Sequence, residues 1–310
     1  MKYSSHANFT IFAHVYYPDV WEEMVESLDM GIRQPFDLVI TRPAGSRPVA
    51  RPKNSCLRLA TELEVDNQGR DVLPFLTALK QQPLPSSGLG LKLHTKRSPH
   101  RSDGEDWRRF LVGSLLKADN NGYLLGHMLL EAEPHIGLVA PHAHLLSLDG
   151  RTSINTEVMA RILRRMDGSP PSSMPEGHRF SAGSMFWFRH SALKRAIDID
   201  FTDLFANESD QLDGTAAHAF ERLFAFISER KGFITAAMEN AEPILRYGRA
   251  PLSRGDLIKL IEGSLSRDNP FTLPFADFWR RHSTLLSCAH AVYTRLPKSA
   301  VQLLRKSIGR

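Results

Sequence analysis

The sequence has few cysteines and no long apolar run. Cys56 and Cys288 lie far apart and outside any CxxC or CxxH motif. This argues against a disulfide framework and a structural zinc site, and it fits a reducing compartment. No uncharged apolar run approaches the ~18 residues that a membrane-spanning helix requires. The apolar run at 8–17 is followed by acidic residues and has no small-residue cleavage site. We therefore expect a cytoplasmic protein without a signal peptide.

Familiar nucleotide and metal motifs are also missing. There is no Walker loop and no G-x-G-x-x-G, and the two glycines of GLGLKL precede a strand instead of following one. His142 and His144 form an HxH pair without a third ligand at a matching spacing, so we predict no metal site there. The sequence therefore does not predict a P-loop enzyme, a dinucleotide-dependent enzyme or a zinc enzyme.

The composition is that of an ordinary globular protein with excess positive charge. The chain has 310 residues, of which 42% are hydrophobic and 24% charged, and its net charge is +5. A basic protein favours an anionic ligand, a polyanion or an acidic membrane surface. Its basic residues are spread along the chain without a recognition module, so we predict no nucleic-acid partner.

Short apolar runs alternate with amphipathic segments through most of the chain. This alternation predicts an α/β fold with a mainly parallel sheet flanked by helices, in which ligands bind beyond the carboxyl ends of the strands. The stretch 180–189 reads as one further strand, followed by a helix. The predicted strands are 9–17, 36–41, 59–66, 89–95 and 136–141, and the predicted helices are 18–31, 71–82, 106–118, 122–133 and 212–232.

The composition changes after about residue 245. From Phe275 onward Asp277 is the only acidic residue against seven Lys and Arg residues. We predict a catalytic domain at 1–245 and a basic helical extension at 246–310. The cationic helices suit peripheral contact with an anionic membrane. Ordinary packing onto the catalytic domain explains them equally.

Cations and imidazoles gather where the fourth predicted strand ends. His94 and Lys96 alternate with apolar and small residues, Arg97 follows, and Arg70 lies at the end of the preceding strand. Such groups at the carboxyl edge of a parallel sheet suit a phosphate or diphosphate, whose charge they neutralise. A solvated basic loop is the alternative.

Asn67 and Gly69 form a tight strand-to-helix turn at the same edge. Asp71 follows as the predicted cap of the next helix, which by itself explains the residue without any function. We group these three residues as candidates for nucleotide binding.

The run GSMFWFR contains small residues followed by aromatic ones. Gly183 and Ser184 allow close approach of the backbone to a ligand, and Trp187 offers an aromatic face. We expect Phe186 and Phe188 to lie in the core. Trp187, which could also be core, is grouped with Gly183 and Ser184 as a candidate for acceptor binding.

Polar residues cluster near the start of the predicted helix 212–232. Asp213 is the expected N-cap, and His218, Glu221 and Arg222 share one face because they are spaced by three and four residues. A solvent-facing ion pair would produce this pattern. The functional interpretation is a general base, Asp213, Glu221 or His218, with Arg222 beside it toward the acceptor.

Six stretches, taken in order, resemble the rhamnan synthesis protein F family of bacterial polysaccharide-assembly proteins. They cover roughly residues 8 to 232 and read FAHVYYPDVWEE, NQGRDVLPFL, LKLHTKRSPHRSDGEDWR, IGLVAP, AGSMFWFR and LDGTAAHAFERL. The resemblance implies glycosyl transfer in rhamnose-containing polysaccharides and O-antigens. The donor would be a nucleotide sugar such as dTDP-rhamnose, and the acceptor a growing lipid-linked glycan. A non-catalytic glycan-binding or scaffold role in the assembly complex is the alternative.

The strand order is also similar to the nucleotide-binding half of GT-A glycosyltransferases. In those enzymes an Asn-x-Gly turn, matched here by Asn67 and Gly69, precedes a strand that ends in DxD. The sequence departs from this pattern because HTK (94–96) stands in place of DxD. The departure implies that Lys96, His94 and Arg97 replace the metal cation, so we predict no cofactor; Mg²⁺ or Mn²⁺ held without a DxD motif is the alternative. It also implies that Asp213 or Glu221 activates the acceptor hydroxyl.

Overall fold

A computed structural model gives the structure of the chain. It describes residues 8–82, 88–95, 97, 104–152, 154–168, 177–205, 213–247 and 251–263, together with single residues between 282 and 300. The strands are β1 Phe9–His14, β2 Phe36–Pro43, β3 Leu57–Val65, β4 Leu89–His94, β5 Ile136–Ala140, β6 Leu145–Ser147, β7 Arg179–Ser181, β8 Phe186–Arg189 and β9 Ile234–Ala237. The helices are α1 Pro18–Gly31, α2 Val72–Gln81, α3 Gly104–Leu115, α4 Leu125–Ala132, α5 Thr156–Asp167, α6 His190–Asp198, α7 Ala216–Arg230, α8 Ala241–Tyr247 and α9 Arg254–Gly263.

The main sheet has seven strands in the order β3-β2-β1-β4-β8-β5-β9. All its strands run parallel except β8, which is antiparallel to both β4 and β5. The short strands β6 and β7 form a separate antiparallel ribbon. The predicted α/β fold with a mainly parallel sheet flanked by helices is therefore confirmed.

Helices cover both faces of the main sheet, and β1 shows why. Phe9 and Ile11 belong to one buried cluster, with α1 and α4, whereas Phe12 belongs to a second cluster, with α2, α6 and α7. Successive side chains of a strand point to opposite faces, so a strand that is apolar throughout needs two covered faces. The uninterrupted apolar run in the sequence reflects this burial.

The predicted strand 180–189 is wrong in one respect. It divides into β7 and β8, separated by a turn at Gly183 and Ser184. Both turn residues have positive φ, +94° for Gly183 and +54° for Ser184. Positive φ is incompatible with a continuous strand. Because β8 runs antiparallel, this turn lies at the carboxyl edge of the parallel strands.

The chain beyond residue 245 continues the packing of the main sheet as far as the structure describes it. Leu257 of α9 is buried in the same cluster as α1 and α4. Asn240 Nδ2 donates to the Ile261 carbonyl, and Glu133 accepts from the Leu252 amide. The division at residue 245 stays a prediction. Among the described residues, no helix is both long and apolar enough to cross a membrane.

Candidate functional site

The candidate site lies where β1 and β4 end. These neighbouring parallel strands finish in His14 and His94, which are register partners. The chain leaves β1 toward β2 on one side, while β4 lies on the other side, so the two strands flank a switch point of the sheet. Open α/β sheets bind their ligands at such a point. The predicted position of His94 at the carboxyl edge is therefore confirmed.

A buried ion pair lies beneath this edge. Lys92, only 1% exposed, donates from its ammonium group to Asp71. Asp71 occupies the N-cap position of α2, as expected, but its side chain makes no capping hydrogen bond. Burial alone would raise the pKa of Asp71; the nearby His94 and the Lys92 ammonium outweigh burial and lower it. The Asp71 carboxylate is therefore charged and already neutralised by a side chain of the protein.

The two histidines at the strand ends have different partners. His94 Nε2 lies 2.7 Å from the Gly183 carbonyl and 3.7 Å from Asp71 Oδ2. A carbonyl oxygen only accepts, so Nε2 carries the hydrogen. His14 Nδ1 lies 3.0 Å from Thr41 Oγ1, and burial lowers the pKa of His14 to about 4. His14 is therefore neutral at physiological pH.

The turn at Gly183 and Ser184 contacts both halves of the site. Its Gly183 carbonyl accepts from His94, and its Gly183 amide donates to Glu221 Oε1 at 2.6 Å. The carbonyl and hydroxyl oxygens of Ser184 both accept from Lys92, at 2.6 Å and 2.9 Å. One tight turn therefore joins the end of β4 to helix α7.

The predicted Asn67–Gly69 turn is present at the end of β3. Gly69 has a φ of +69°, and Arg70 after it has +54°, a rare value for a residue with a side chain. A Cβ on Gly69 would come within 2.4 Å of Leu73 Cβ, so only glycine fits there. Asn67 and Arg70 are exposed at this edge, and their roles in binding stay predictions.

Two cations, Lys96 and Arg97, follow β4, and Arg97 lies among the described residues. Arg97 pairs with Asp19, and its guanidinium carbon lies 4.7 Å from the centroid of the Tyr17 ring, so it is placed at the start of α1. Thr95 Oγ1 accepts from the Tyr16 and Tyr17 amides, at 2.8 Å and 2.9 Å, which fixes the chain between β1 and α1. The predicted contact residue Lys96 lies outside the described residues.

Asp213 lies at the centre of a second polar cluster, at the start of α7. Its Oδ1 accepts from Asn155 Nδ2 and from the Gly214 amide, both at 2.9 Å. Its Oδ2 accepts from Arg222 at 2.8 Å. Burial would raise the pKa of Asp213, but Arg222 and His218 outweigh it and lower that pKa. Asp213 is thus a charged carboxylate with both oxygens occupied.

Asp213 is not the N-cap of α7, and that prediction is wrong. Thr215 is the cap, because its Oγ1 accepts from the His218 amide. The same hydroxyl lies 2.9 Å from His218 Nδ1, and Asp213 Oδ1 lies 3.7 Å from that nitrogen. Burial lowers the pKa of His218 to about 4; Asp213 opposes this shift, and Arg70 adds to it. His218 is therefore a neutral imidazole oriented by Thr215 and Asp213.

Two residues predicted to bind the acceptor serve other purposes. Trp187 is fully buried, donates from Nε1 to the Leu115 carbonyl and packs 5.0 Å from the Phe9 ring, so its predicted place at the site is wrong. Arg222 donates to Asp213, to the Arg151 carbonyl and to the His218 carbonyl. These bonds use its three guanidinium nitrogens to hold α7 in place. Gly183 and Ser184 remain at the edge, in the turn described above.

A divalent metal fits the described residues poorly. Within the described part of the chain, no group of three or more His, Cys, Asp or Glu side chains is arranged to hold a metal ion. Asp71, the carboxylate nearest the end of β4, is already paired with Lys92. Mg²⁺ and Mn²⁺ prefer several oxygen ligands, which this lysine and histidine environment does not supply.

Three residues of the site were not predicted from the sequence: His14, Lys92 and Asn155. His14 and Lys92 stand inside apolar runs, where an isolated polar residue reads as part of a buried strand. A cation at an inward position of a buried strand was the available signal, because lysine is almost never buried without a partner. Asn155 gave no signal, since its partner Asp213 is 58 residues away.

Comparisons with known proteins identify the family. The model described as rhamnan synthesis protein F matches residues 1–233. The uncharacterized protein WxcX from two strains of Xanthomonas campestris pv. campestris is 30% identical over 233 residues, which cover 74% of this chain. The same match covers 32% of the length of WxcX, so the chain spans about a third of these curated relatives. No solved structure matches. The chain belongs to the rhamnan synthesis protein F family, which associates it with polysaccharide synthesis.

Proposed function

We propose that this protein is a glycosyltransferase. It would move rhamnose or a similar deoxysugar from a nucleotide-sugar donor to a growing, lipid-linked cell-surface polysaccharide or O-antigen. One observation carries the proposal: the Gly183–Ser184 turn joins His94, at the end of β4, to Glu221 on α7. A group suited to a phosphate and a group suited to a hydroxyl therefore share one edge of the sheet.

The donor diphosphate would lie at the ends of β3, β1 and β4. Arg70, His94, Arg97 and the undescribed Lys96 supply positive charge or hydrogen-bond donors, and the turn Asn67–Gly69 would approach the nucleotide. A leaving nucleoside diphosphate gains negative charge as the glycosidic bond breaks, so fixed cations stabilise the transition state more than the ground state. In this proposal protein side chains carry out that neutralisation without a divalent ion.

Glu221 is the best candidate for the general base. Asp213 has both oxygens occupied by donors, and its lowered pKa makes it a poor proton acceptor. Glu221 uses Oε1 to hold the Gly183 amide, which leaves Oε2 to accept a proton from the acceptor hydroxyl. His218, one turn earlier on α7, is neutral and would orient that hydroxyl. A single base suffices for inversion at the anomeric carbon.

The proposal extends to the location of the reaction. A lipid-linked acceptor places the enzyme at the inner face of the cytoplasmic membrane. The basic residues after residue 275 would then meet anionic headgroups, each contributing about 1 kcal/mol near the surface. The family membership supports polysaccharide synthesis, and the membrane contact is our proposal.

A panel of nucleotide sugars tests the donor site. Thermal stabilisation by one of them should survive EDTA, and Arg70→Ala should abolish it. Arg58→Ala is the matched control, because Arg58 is an exposed cation at the amino end of β3, on the opposite edge of the sheet. Stabilisation that requires Mg²⁺ would overturn the metal-free site, and equal losses in both variants would remove Arg70 from it.

Sugar transfer to a lipid-linked acceptor, measured with the same protein preparation, tests the role of Glu221 as the general base. Glu221→Gln should lower kcat by about 10²–10⁴-fold with little change in donor KM, since a glutamine oxygen can still accept from Gly183. Glu229→Gln, further along α7 where Glu229 pairs with His178, should keep wild-type turnover. Unchanged kcat in Glu221→Gln would contradict this role. Oligosaccharide binding without binding of any nucleotide sugar would favour a glycan-binding component instead.

A further inference from the structure

Lys92 has an unusual place in the fold. It lies on β4, paired in register with Phe12 of β1 and Phe186 of β8, and its side chain is 1% exposed. Its ammonium nitrogen lies 5.2 Å and 5.9 Å from the centroids of the Phe75 and Phe186 rings. A lysine costs free energy in such surroundings unless its charge is matched, so its position demands partners.

Those partners belong to two different segments of the site. One is the Asp71 carboxylate, at the start of α2. The other two are the carbonyl oxygen and the hydroxyl oxygen of Ser184, at 2.6 Å and 2.9 Å. An ammonium group has three N–H donors, and these three acceptors match them. Lys92 therefore faces the interior of the protein and is not a contact for the donor diphosphate.

Ser184 needs an anchor because its backbone is in a region that residues with side chains rarely adopt. Its φ is +54°, next to Gly183 at +94°. Residues held in such conformations persist only when their surroundings fix them. Lys92 bonds both oxygens of Ser184, and the adjacent Gly183 holds His94 through its carbonyl and Glu221 through its amide.

We infer that Lys92 is a positioning residue for the reaction. Its buried ammonium fixes the Gly183–Ser184 turn. That turn then positions His94 on the donor side and Glu221 on the acceptor side. This inference rests on the proposed function for its catalytic part. The anchoring of the turn is a property of the fold and can be measured without any substrate.

Hydrogen exchange at the backbone amides of Gly183 and Ser184 measures the anchoring. Lys92→Met keeps the length of the side chain and removes its charge, so protection of these amides should fall by about tenfold or more. Asp71→Asn keeps both bonds to Ser184 but leaves the buried ammonium without its counter-charge, so it should lower the stability of the whole protein. Relative to the rest of the protein, the protection of these two amides should stay nearly unchanged. If Lys92→Met alone fails to fold, the double variant Lys92→Met/Asp71→Asn replaces it, because it leaves no buried charge unpaired. The double variant should show the same loss of amide protection.

Leu138→Ala is the matched control for general destabilisation. Leu138 is fully buried on β5, in the same cluster as Phe75 and Phe186, and its register partner on β8 is Phe188, four residues beyond Ser184. In the Leu138→Ala variant, the backbone amides of Gly183 and Ser184 should keep their protection relative to the rest of the protein. Wild-type protection in Lys92→Met, or an equal local loss in Leu138→Ala, would overturn the anchoring role.

Kinetics then separate positioning from mere folding. At saturating nucleotide sugar, Lys92→Met should lower kcat by about a hundredfold, because small misplacements of catalytic groups have effects of that size. Leu138→Ala should keep kcat near the wild-type value once the folded fraction is accounted for. Normal kcat in a Lys92→Met protein with a loosened turn would overturn the positioning role. Absence of any transfer by the wild type would instead remove the proposed function and leave the exchange result standing.

Discussion

His127 of α4 makes the stability of this domain sensitive to acid. Its side chain is 3% exposed, and its ring centroid lies 5.2 Å from that of Phe9 and 6.2 Å from that of Trp187. Its Nε2 has no hydrogen-bond partner among the residues that the structure describes. Burial lowers the pKa of His127 to about 4, from an ordinary value of 6.5. Between these two values the unfolded chain binds a proton at this residue and the folded protein does not. The free energy of unfolding therefore falls as pH decreases through this window.

The magnitude follows from proton linkage. Acidification from about pH 7.5 to about pH 5 should remove about 2 kcal/mol of stability through this one histidine. His14 and His218, also with pKa values of about 4, act in the same direction, so the whole loss is larger. His127→Leu removes one contribution and leaves the other two.

Urea unfolding, followed by tryptophan fluorescence, measures this difference. The gap in unfolding free energy between wild type and His127→Leu should change by about 2 kcal/mol between the two pH values, in favour of the variant at low pH. His135→Gln is the control, because His135 is exposed and solvated in both states. A gap that stays constant with pH would refute the reasoning that burial excludes the proton from His127.

Two further substitutions test the site's framework by urea unfolding. Gly69→Ala should cost about 2–3 kcal/mol because of its positive φ and the close Leu73. Gly45→Ala should cost clearly less, because Gly45 has a φ of +75° but no described atom lies within 4 Å of an added Cβ. Equal losses in the two variants would contradict the steric argument. Asp213→Asn should cost about 3 kcal/mol because it leaves Arg222 buried without its carboxylate. Asp203→Asn is the control, because Asp203 is exposed in its ion pair with Arg165, and it should change the unfolding free energy little. An equally small change in Asp213→Asn would show that Arg222 finds another partner.

Much of the fold was predictable because β1, β2, β4 and β5 are buried on both faces. The helix α1 was predicted with its observed bounds, and β4 with its observed first residue and one residue too many at its carboxyl end. Periodicity and flanking Pro and Gly residues determine such elements locally. The strand β9 and the helix α8 were not predicted, because four and seven residues are too few to show a period. Their existence depends on pairing with β5 and packing on α4, which are distant in sequence.

The position of the candidate site was predictable from the sequence, but its hydrogen bonds and ion pairs were not. His94 and the Asn67–Gly69 turn follow from strand ends, which are visible in the sequence. The pairing of Lys92 with Ser184 spans 92 residues and depends on the antiparallel direction of β8. Asp213 was mistaken for the helix cap because two residues that favour caps, Asp213 and Thr215, lie close together. The geometry of the folded loop decides between them.

The antiparallel strand β8 has a consequence for when the candidate site forms during synthesis. The turn before β8 reaches the site only after β8 has paired with β4, across a separation of about ninety residues in the chain. A ribosome-bound chain that ends before β7 would already contain β1, β2, β3 and β4 yet lack the Gly183–Ser184 turn and β8. Long-range closure of this kind is slow and comes late in folding. Ligand binding at the proposed site would therefore report the pairing of β8 with β4 during synthesis.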